Sequence, residues 1–216
     1  MPSWSVEHLT GDVGEFHARP LLGSGRTATF FNTESATLVL GSSQREQSVD
    51  SDAAARLGIG VVRRRSGGGG VLVLPGDFVW LDLEIPAGDE LWDDDIGRSM
   101  WWVGELWRRA LSTFEPVATV YRGPMRRTQW SSDICFAGTG TGEVLRDAAK
   151  LVGISQRRTR HAARFQTMLH RHWRPDLVAS LVTHAPSLAE LTPLVAVCTA
   201  SIGAITDRLT EALLEL

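Results

Sequence analysis

The chain has 216 residues and a mass of 23.6 kDa, with 43% hydrophobic residues, 22% charged residues and a formal net charge of −3. This composition is ordinary for one globular domain and argues against disorder as the main state. The charge argues against a general nucleic-acid binder, and the chain has neither the roughly 20 consecutive apolar residues of a membrane span nor a secretion signal. We therefore expect a single domain over 1–216 in the cytoplasm, without a membrane or nucleic-acid partner.

Four strands and one short helix are predicted in the first half of the chain. The helix begins with Ser48 or Asp50 as its N-cap and runs through Leu57, after which Gly58 ends it. The strands are short apolar or alternating runs at 36–40, 61–62, 71–74 and 78–85. The turn residues at 75–77 predict that the last two strands form a hairpin. The last strand alternates, and its apolar face consists of Val79, Leu81, Leu83 and Ile85.

The second half of the chain predicts a long amphipathic helix, followed by strands and two further helices. The long helix spans 93–114, opens with three aspartates and has an apolar face of Ile96, Met100, Val103, Leu106, Trp107 and Leu111. The other elements are strands at 117–121, 132–137 and 164–169, a hairpin over 143–156 that turns at Asp147, and helices at 175–184 and 196–215. The predicted fold class is therefore α+β or mixed α/β, with a central mixed or antiparallel sheet flanked by helices.

The chain has only one lysine and two cysteines, and each of these residues is a candidate for a specific role. The 22 basic residues are 21 arginines and one lysine, Lys150. Arginine replaces lysine at little cost on a surface, so the remaining lysine matters if it falls within a motif. The two cysteines, Cys135 and Cys198, are too few for a disulfide framework, and Cys198 is expected in the core. No group of cysteines and histidines has zinc-site spacing, so we expect no metal site.

The segment RRRSGGGGV at 63–71 is the first motif with chemical meaning. Glycines let the backbone approach a ligand closely and offer N–H groups to an anion, while arginines bind phosphate or carboxylate through two hydrogen bonds. A predicted strand follows, so the segment is neither a Walker loop nor a dinucleotide-binding fingerprint. A flexible basic surface loop is the alternative. If the glycines cradle a ligand, Gly68→Val should weaken binding and spare the fold.

The segment KLVGISQRRTR at 150–160 is the second motif, and it opens with the only lysine. A lysine on a strand facing a glycine loop can hold a carboxylate and a phosphate together, and it can neutralise charge as an acyl phosphate forms. An ordinary lysine at the start of a hairpin strand is the alternative. The arginines that follow could bind RNA, lie at a solvated strand end or attract an acidic partner.

Together, the two motifs resemble the catalytic domain shared by lipoate-protein ligases, biotin-protein ligases and octanoyltransferases. The pattern Arg-Arg-x-Ser-Gly-Gly-Gly is matched by Arg63, Arg64, Ser66, Gly67, Gly68 and Gly69. The pattern Lys-(Leu/Ile)-x-Gly-x-(Ala/Ser)-Gln is matched by Lys150, Leu151, Gly153, Ser155 and Gln156. The separation of about eighty residues also fits, and the resemblance covers roughly 36–185. It implies a mixed sheet flanked by helices, with an acyl-adenylate pocket between the glycines and the lysine.

The resemblance is greatest to the lipoate-ligase branch and implies its reaction. ATP with Mg²⁺ and lipoate or octanoate would give acyl-AMP. A lysine of a lipoyl acceptor domain, of the 2-oxoacid dehydrogenase or glycine-cleavage type, would then displace AMP. Lys150 would be catalytic and would hold the carboxylate and the α-phosphate. The substrate-binding and ATP-binding residues would be Arg63, Arg64, Ser66, Gly67, Gly68, Gly69, Gly70, Gly153 and Ser155.

Two departures from the family pattern and one cysteine keep alternatives open. Val73 and Leu74 stand where the family commonly has His-Asp. Residues 165–167 stand where the family often has a His-Gly pair after the strand that carries the lysine. These changes imply altered contacts to the acyl group or the acceptor, and Val73 and Leu74 give some weight to a non-catalytic protein that only binds lipoate, biotin or an adenylate. Cys135 precedes Lys150 by fifteen residues, as in one octanoyltransferase branch that forms an acyl thioester on this cysteine. Such an enzyme would take octanoyl from an acyl-carrier protein without ATP. The alternative is that Cys135 is a small core residue without a chemical role.

Overall fold

Ten strands form two sheets within residues 3–216, the part of the chain that the computed structural model describes. The strands are β1 (Ser5–Thr10), β2 (Thr27–Asn32), β3 (Thr37–Leu40), β4 (Gly60–Arg63), β5 (Val71–Val73), β6 (Phe78–Pro86), β7 (Thr119–Val120), β8 (Val144–Arg146), β9 (Ala149–Arg158) and β10 (Ala162–His170). The large sheet has the order β1-β2-β6-β10-β9-β8-β7, in which only β1 and β2 are parallel. The small sheet has the order β4-β3-β5.

Helices flank both sheets, which confirms the expected fold class. They are α1 (Val13–Ala18), α2 (Ser51–Arg56), α3 (Trp101–Leu111), α4 (Pro175–Ser180), α5 (Leu188–Leu191) and α6 (Ile202–Leu213). One face of the large sheet is buried under α3 and α6 and forms the largest core. The apolar face predicted for 78–85 is confirmed, because its four residues are at most 3% exposed and belong to this core.

The opposite face of the large sheet changes from apolar to charged along the length of its strands. The site lies on this face. The register of β2, β6, β10 and β9 aligns side chains in three cross-strand rows. The rows are Phe31–Trp80–Met168–Gly153, then Thr29–Asp82–Gln166–Ser155, then Thr27–Glu84–Arg164–Arg157. Helix α1 and the small sheet pack on the apolar row and form a second core there.

The predicted hairpin over 71–85 is wrong. Strand β5 pairs with β3 in the small sheet, whereas β6 lies between β2 and β10 in the large sheet. The turn at 75–77 does form, but it carries the chain from one sheet to the other. Residues 78–85 are buried on both faces of β6, so this strand occupies a central position with a neighbour on each side.

The long helix is shorter than the predicted 93–114 and spans Trp101–Leu111 after a single 3₁₀ turn. The carboxylates of Asp93 and Asp95 accept hydrogen bonds from backbone N–H groups two and three residues downstream, each at 2.8 Å. Such local bonds offer the backbone an alternative to the helix. As a result, Ile96 is 63% exposed and does not lie on the apolar face where it was predicted.

The strand predicted near 132–137 is also wrong, since Cys135–Ala137 form one 3₁₀ turn. The apolar side chains of this segment are buried by packing and not by strand pairing. The last helix begins at Ile202, later than predicted, because the Ser201 side chain caps it by accepting the Ala204 N–H at 3.1 Å. Helix α4 and strand β7 are likewise shorter than predicted.

Several other predictions are confirmed. The strand at 36–40 is β3, and Asp50 caps α2 by accepting the Ala53 N–H at 2.7 Å. The hairpin over 143–156 is β8–β9, and Asp147 in its turn has a φ of +56°. The described residues before position 35 contain β1, α1 and β2, for which the sequence analysis predicted no element. Within residues 3–216, no helix is long and apolar enough to cross a membrane.

Candidate active site

The two arginines that precede the glycines hold the glycine loop, 67–70, in shape. Arg64 is only 4% exposed, and its guanidinium donates hydrogen bonds to the carbonyl oxygens of Val39 (3.2 Å), Gly67 (2.7 Å) and Gly69 (2.9 Å). Arg63 donates to two other backbone carbonyls, at 2.8 and 2.7 Å. The loop is therefore fixed by the chain itself. A role of either arginine in binding phosphate stays a prediction.

The glycine loop is bonded to the turn that carries Cys135. The Gly70 N–H donates to the Asp133 carbonyl at 2.8 Å, and the Cys135 N–H donates to the Gly70 carbonyl at 2.9 Å. At Gly69 the two backbones approach so closely that a β-carbon would lie 2.6 Å from the Ile134 nitrogen. The glycines thus permit close backbone contact, in addition to the ligand contact that the motif predicts.

Gly68 has a structural requirement of its own, which corrects the expectation that Gly68→Val would spare the fold. Its φ is +100°, and a β-carbon there would lie 2.9 Å from a guanidinium nitrogen of Arg64. Gly67, by contrast, has nothing within 4 Å of the position of a β-carbon. We expect Gly68→Ala to lower Tm by several degrees, on a scale of about 2–4 °C per kcal/mol, and Gly67→Ala to leave Tm unchanged. Thermal melting of this matched pair measures the difference, and equal Tm values would contradict it.

A largely apolar cavity lies on the sheet face described above, between the small sheet, the Cys135 turn and α1. Its apolar wall includes Val39, Val71, Val73, Trp80, Phe136 and Met168. Of the predicted binding residues, Arg64, Gly153 and Ser155 line this cavity, and so does Cys135. Gly153 lets the Phe136 ring pack closely on β9, because a β-carbon there would lie 3.0 Å from that ring. A cavity of this kind suits a hydrocarbon chain.

Five polar side chains are linked at the boundary of this cavity. Ser66 Oγ donates to Gln166 Oε1 at 3.0 Å and lies 3.1 Å from Ser155 Oγ. Gln166 Nε2 donates to Asp82 Oδ2 and to His17 Nδ1, both at 3.1 Å. Burial raises the pKa of Asp82 to about 6. Burial, assisted by two nearby arginines, lowers the pKa of His17 to about 3, so His17 is neutral at physiological pH.

Lys150 lies at the start of β9, beside the Cys135 turn, and is only 2% exposed. Its Nζ donates to the Cys135 carbonyl at 2.9 Å and forms an ion pair with Glu143 at 2.9 Å. Glu143 also accepts the N–H groups of Gly140 (2.7 Å) and Ile154 (3.2 Å). Burial raises the pKa of Glu143, and the Lys150 ammonium opposes this rise. The single lysine is thus held by a carboxylate whose own position the backbone fixes.

The two cysteines differ in their surroundings. Cys135 is half-buried at the cavity, and its Sγ lies 3.6 Å from the position that a β-carbon on Gly68 would take. Cys198 is a core residue, as expected, but it lies on the segment before α6 and not on a helix. Burial raises the pKa of the Cys198 thiol. Among residues 3–216, no group of three or more His, Cys, Asp or Glu could hold a metal ion.

A protein-family model identifies the family of this chain. The model described as the lipoyl protein ligase A/B catalytic domain matches residues 17–193, which contain both motifs and every residue that lines the cavity. The chain therefore belongs to this family, and it carries the catalytic domain of a lipoate-protein ligase-like enzyme. No functionally curated protein matches the chain in sequence.

Solved structures of lipoate ligases share the fold at low sequence identity. A lipoate-protein ligase A bound with ATP gives a TM-score of 0.73 at 17% identity, covering 99% of this chain and 84% of that chain. The structure of a bipartite lipoate protein ligase and its E2 lipoyl domain from Thermoplasma acidophilum gives a TM-score of 0.71 at 15% identity. The match covers 100% of this chain and 84% of that chain. A T. acidophilum protein assigned as a lipoate protein ligase, with bound lipoic acid, gives a TM-score of 0.75 at 15% identity. The match covers 99% of this chain and 85% of that chain.

Four residues of this site lie outside the two sequence motifs: Glu143, Asp82, Gln166 and His17. Glu143 had a signal, since it opens the predicted hairpin whose other strand begins with Lys150. Asp82 had a weaker signal, as one of two acids inside a strand whose other residues are apolar. His17 had none, because α1 was not predicted.

Proposed function

We propose that the protein is a lipoate-type acyl-protein ligase. It activates lipoate or octanoate with ATP and transfers the acyl group to a lysine of a lipoyl acceptor domain. The observation that carries this proposal is the apolar cavity bounded by the Cys135 turn, which both the glycine loop and Lys150 contact. The ATP, the lipoic acid and the E2 lipoyl domain named for structures of the same fold support it.

In the first step, a carboxylate oxygen of the acid attacks the α-phosphorus of ATP, and pyrophosphate leaves with the electrons of the broken P–O bond. The hydrocarbon chain lies along the apolar wall, which excludes water. Lys150 exchanges its bond to the Cys135 carbonyl for bonds to the carboxylate and the α-phosphate, and the N–H groups of the glycine loop assist it. Mg²⁺ enters with the phosphates of ATP, as this ion usually does.

In the second step, the amine of the acceptor lysine attacks the acyl carbon, AMP leaves, and the amine loses a proton. The acceptor is a lipoyl domain of the 2-oxoacid dehydrogenase or glycine-cleavage type. Arg157 lies in the charged row of the sheet face, where burial and then the nearby charges of Arg65 and Arg164 lower its pKa. This concentration of positive charge favours an acidic acceptor surface and AMP phosphate alike.

The test of the ligase is acyl-AMP formation without an acceptor. We expect that the protein, ATP, Mg²⁺ and lipoate or octanoate release pyrophosphate and give acyl-AMP, because the first step needs no acceptor. Mass spectrometry of the nucleotides and a pyrophosphate assay measure both products. If neither acid gives acyl-AMP, the proposed ligase reaction is wrong.

The position of Cys135 favours a second candidate function, an octanoyltransferase that needs no ATP. Cys135 lines the acyl cavity, its N–H is bonded to the glycine loop, and its carbonyl is bonded to Lys150. The sulfur would attack the thioester of an octanoyl-acyl-carrier protein, and the carrier thiol would leave with the proton. The acceptor amine would then attack the Cys135 thioester, and the cysteine sulfur would leave.

Intact-mass measurement separates the two candidates. In a mixture with octanoyl-acyl-carrier protein and no ATP, the transferase gains the mass of one octanoyl group, and Cys135→Ser abolishes this gain. Cys198→Ser is the matched control and keeps the gain, because Cys198 lies in the core. Acyl-AMP formation by Cys135→Ser at the unaltered rate would exclude a catalytic cysteine.

A further inference from the structure

His17 places a hydrogen-bond donor without a partner at the wall of the acyl cavity. The side chain lies near the end of α1, lines the same cavity as Cys135 and Trp80, and is only 6% exposed. Its Nε2 atom is buried and has no hydrogen-bond partner within residues 3–216. A buried polar group without a partner destabilises the folded state, so such a group in a native protein calls for an explanation.

Neighbouring hydrogen bonds determine which ring nitrogen carries the proton. Gln166 accepts from Ser66 through Oε1 and donates to the Asp82 carboxylate through Nε2, so the orientation of its amide is set. The second hydrogen of Nε2 then points to His17 Nδ1, which must be an acceptor. Because the ring is neutral, its proton lies on Nε2. His17 therefore offers an N–H to the cavity boundary and no lone pair.

The groups packed around the ring do not accept this hydrogen bond. Phe16 and Trp80 contribute aromatic rings, at centroid distances of 6.3 and 5.0 Å from the imidazole. The charges that act on His17 belong to Arg64 and Arg164, whose guanidinium groups can only donate. An acceptor for Nε2–H must therefore come from a molecule in the cavity.

We propose that His17 is a specificity-determining residue that favours acyl chains with a hydrogen-bond acceptor in the half distant from the carboxyl group. This inference rests on the proposed acyl-binding function. The carboxyl end of the substrate belongs near Lys150, since the Asp82 carboxylate in the network of His17 repels it. A saturated octanoyl chain buries the donor without a partner, whereas an oxygen, or more weakly a dithiolane sulfur, accepts its hydrogen bond.

Calorimetric titration with four acids tests the preference: octanoic, 8-hydroxyoctanoic, 6-oxooctanoic and lipoic acid. We expect at least one oxygen-bearing acid to bind the unaltered protein about tenfold more tightly than octanoic acid, with lipoic acid between them. In His17→Phe this difference disappears, because the ring keeps its shape and loses the donor. His184→Phe, at an exposed position outside the cavity, is the matched control and keeps the difference.

A second measurement does not depend on the folding of a variant. In protein labelled with ¹⁵N-histidine, the Nε2–H signal of His17 should shift when the oxygen-bearing acid binds and remain in place with octanoic acid. Equal affinities for the four acids, together with an unchanged signal, would overturn the role of His17 while leaving acyl binding intact. If none of the four acids binds, both this inference and the proposed function are wrong.

Discussion

Lys150→Met is expected to lower the rate of acyl-AMP formation at least about a hundredfold, while lipoate still binds. Removing one preorganised group that stabilises developing charge typically costs about 10²–10³ in kcat. Lys150 does not itself line the cavity, so the apolar wall that we propose for the acyl chain remains in place. Pyrophosphate release at saturating ATP and lipoate measures the first effect, and calorimetry with lipoate measures the second.

The loss of catalysis must be separated from a loss of stability, since Lys150→Met leaves the Glu143 carboxylate buried without its counter-charge. Burial raises the pKa of Glu143, so the folded variant holds a proton that the unfolded chain releases. Its free energy of unfolding should therefore fall as the pH rises above about 4.3, the usual pKa of glutamate in an unfolded chain. The control is Lys150→Met with Glu143→Gln, which restores stability but not activity. A rate in the double variant above about a tenth of the unaltered rate would contradict the role of Lys150.

Glu143→Gln alone is expected to lower the free energy of unfolding by about 3–5 kcal/mol, the usual cost of removing one partner of a buried ion pair. The Lys150 ammonium would keep its hydrogen bond to the Cys135 carbonyl. No carboxylate would then balance the buried positive charge. Glutamine retains the shape of glutamate and one acceptor oxygen. The decrease in the free energy of unfolding is therefore due to the missing charge. Urea unfolding measures it.

A matched control and a double-mutant cycle sharpen this test. Glu115→Gln removes an acid that is 8% exposed but pairs with the half-exposed Arg146, and it should cost clearly less than Glu143→Gln. The effects of Glu143→Gln and Lys150→Met should not add, because each variant leaves the other charge buried. A coupling energy below about 0.5 kcal/mol would show that the buried pair contributes little.

The sequence predicts elements whose signal is local, and it fails where the partner is distant. The hairpin that turns at Asp147 and the helix capped by Asp50 follow from residues within a few positions of each other. The two strands over 71–85 were correctly placed but wrongly paired, because a local turn does not reveal that each strand has a better partner in a different sheet. The aspartates at 93–95 suit a helix start by charge, yet their side chains bond the nearby backbone instead.

The candidate site divides in the same way. The two motifs identify Arg64, Ser155 and Lys150 because their residue types and spacing are characteristic, and the structure brings the two segments together around one cavity. The partners of these residues come from elsewhere in the chain. His17 reaches the cavity only because α1 packs on the sheet face, and its contact with Gln166 joins residues 149 positions apart. No pattern within either segment contains that information.

The glycine loop and the Cys135 turn are joined into one unit beside the cavity. Gly70 and the turn exchange hydrogen bonds in both directions, through the Asp133 carbonyl and the Cys135 N–H. Gln44 ties the same turn to the end of β3, donating to the Asp133 carbonyl at 3.1 Å and accepting the Gly41 N–H at 3.2 Å. The turn cannot move away from the glycine loop without breaking several of these bonds at once. The position of Cys135 relative to Gly70 is therefore set by backbone bonds, and it should survive side-chain substitutions elsewhere in the cavity wall.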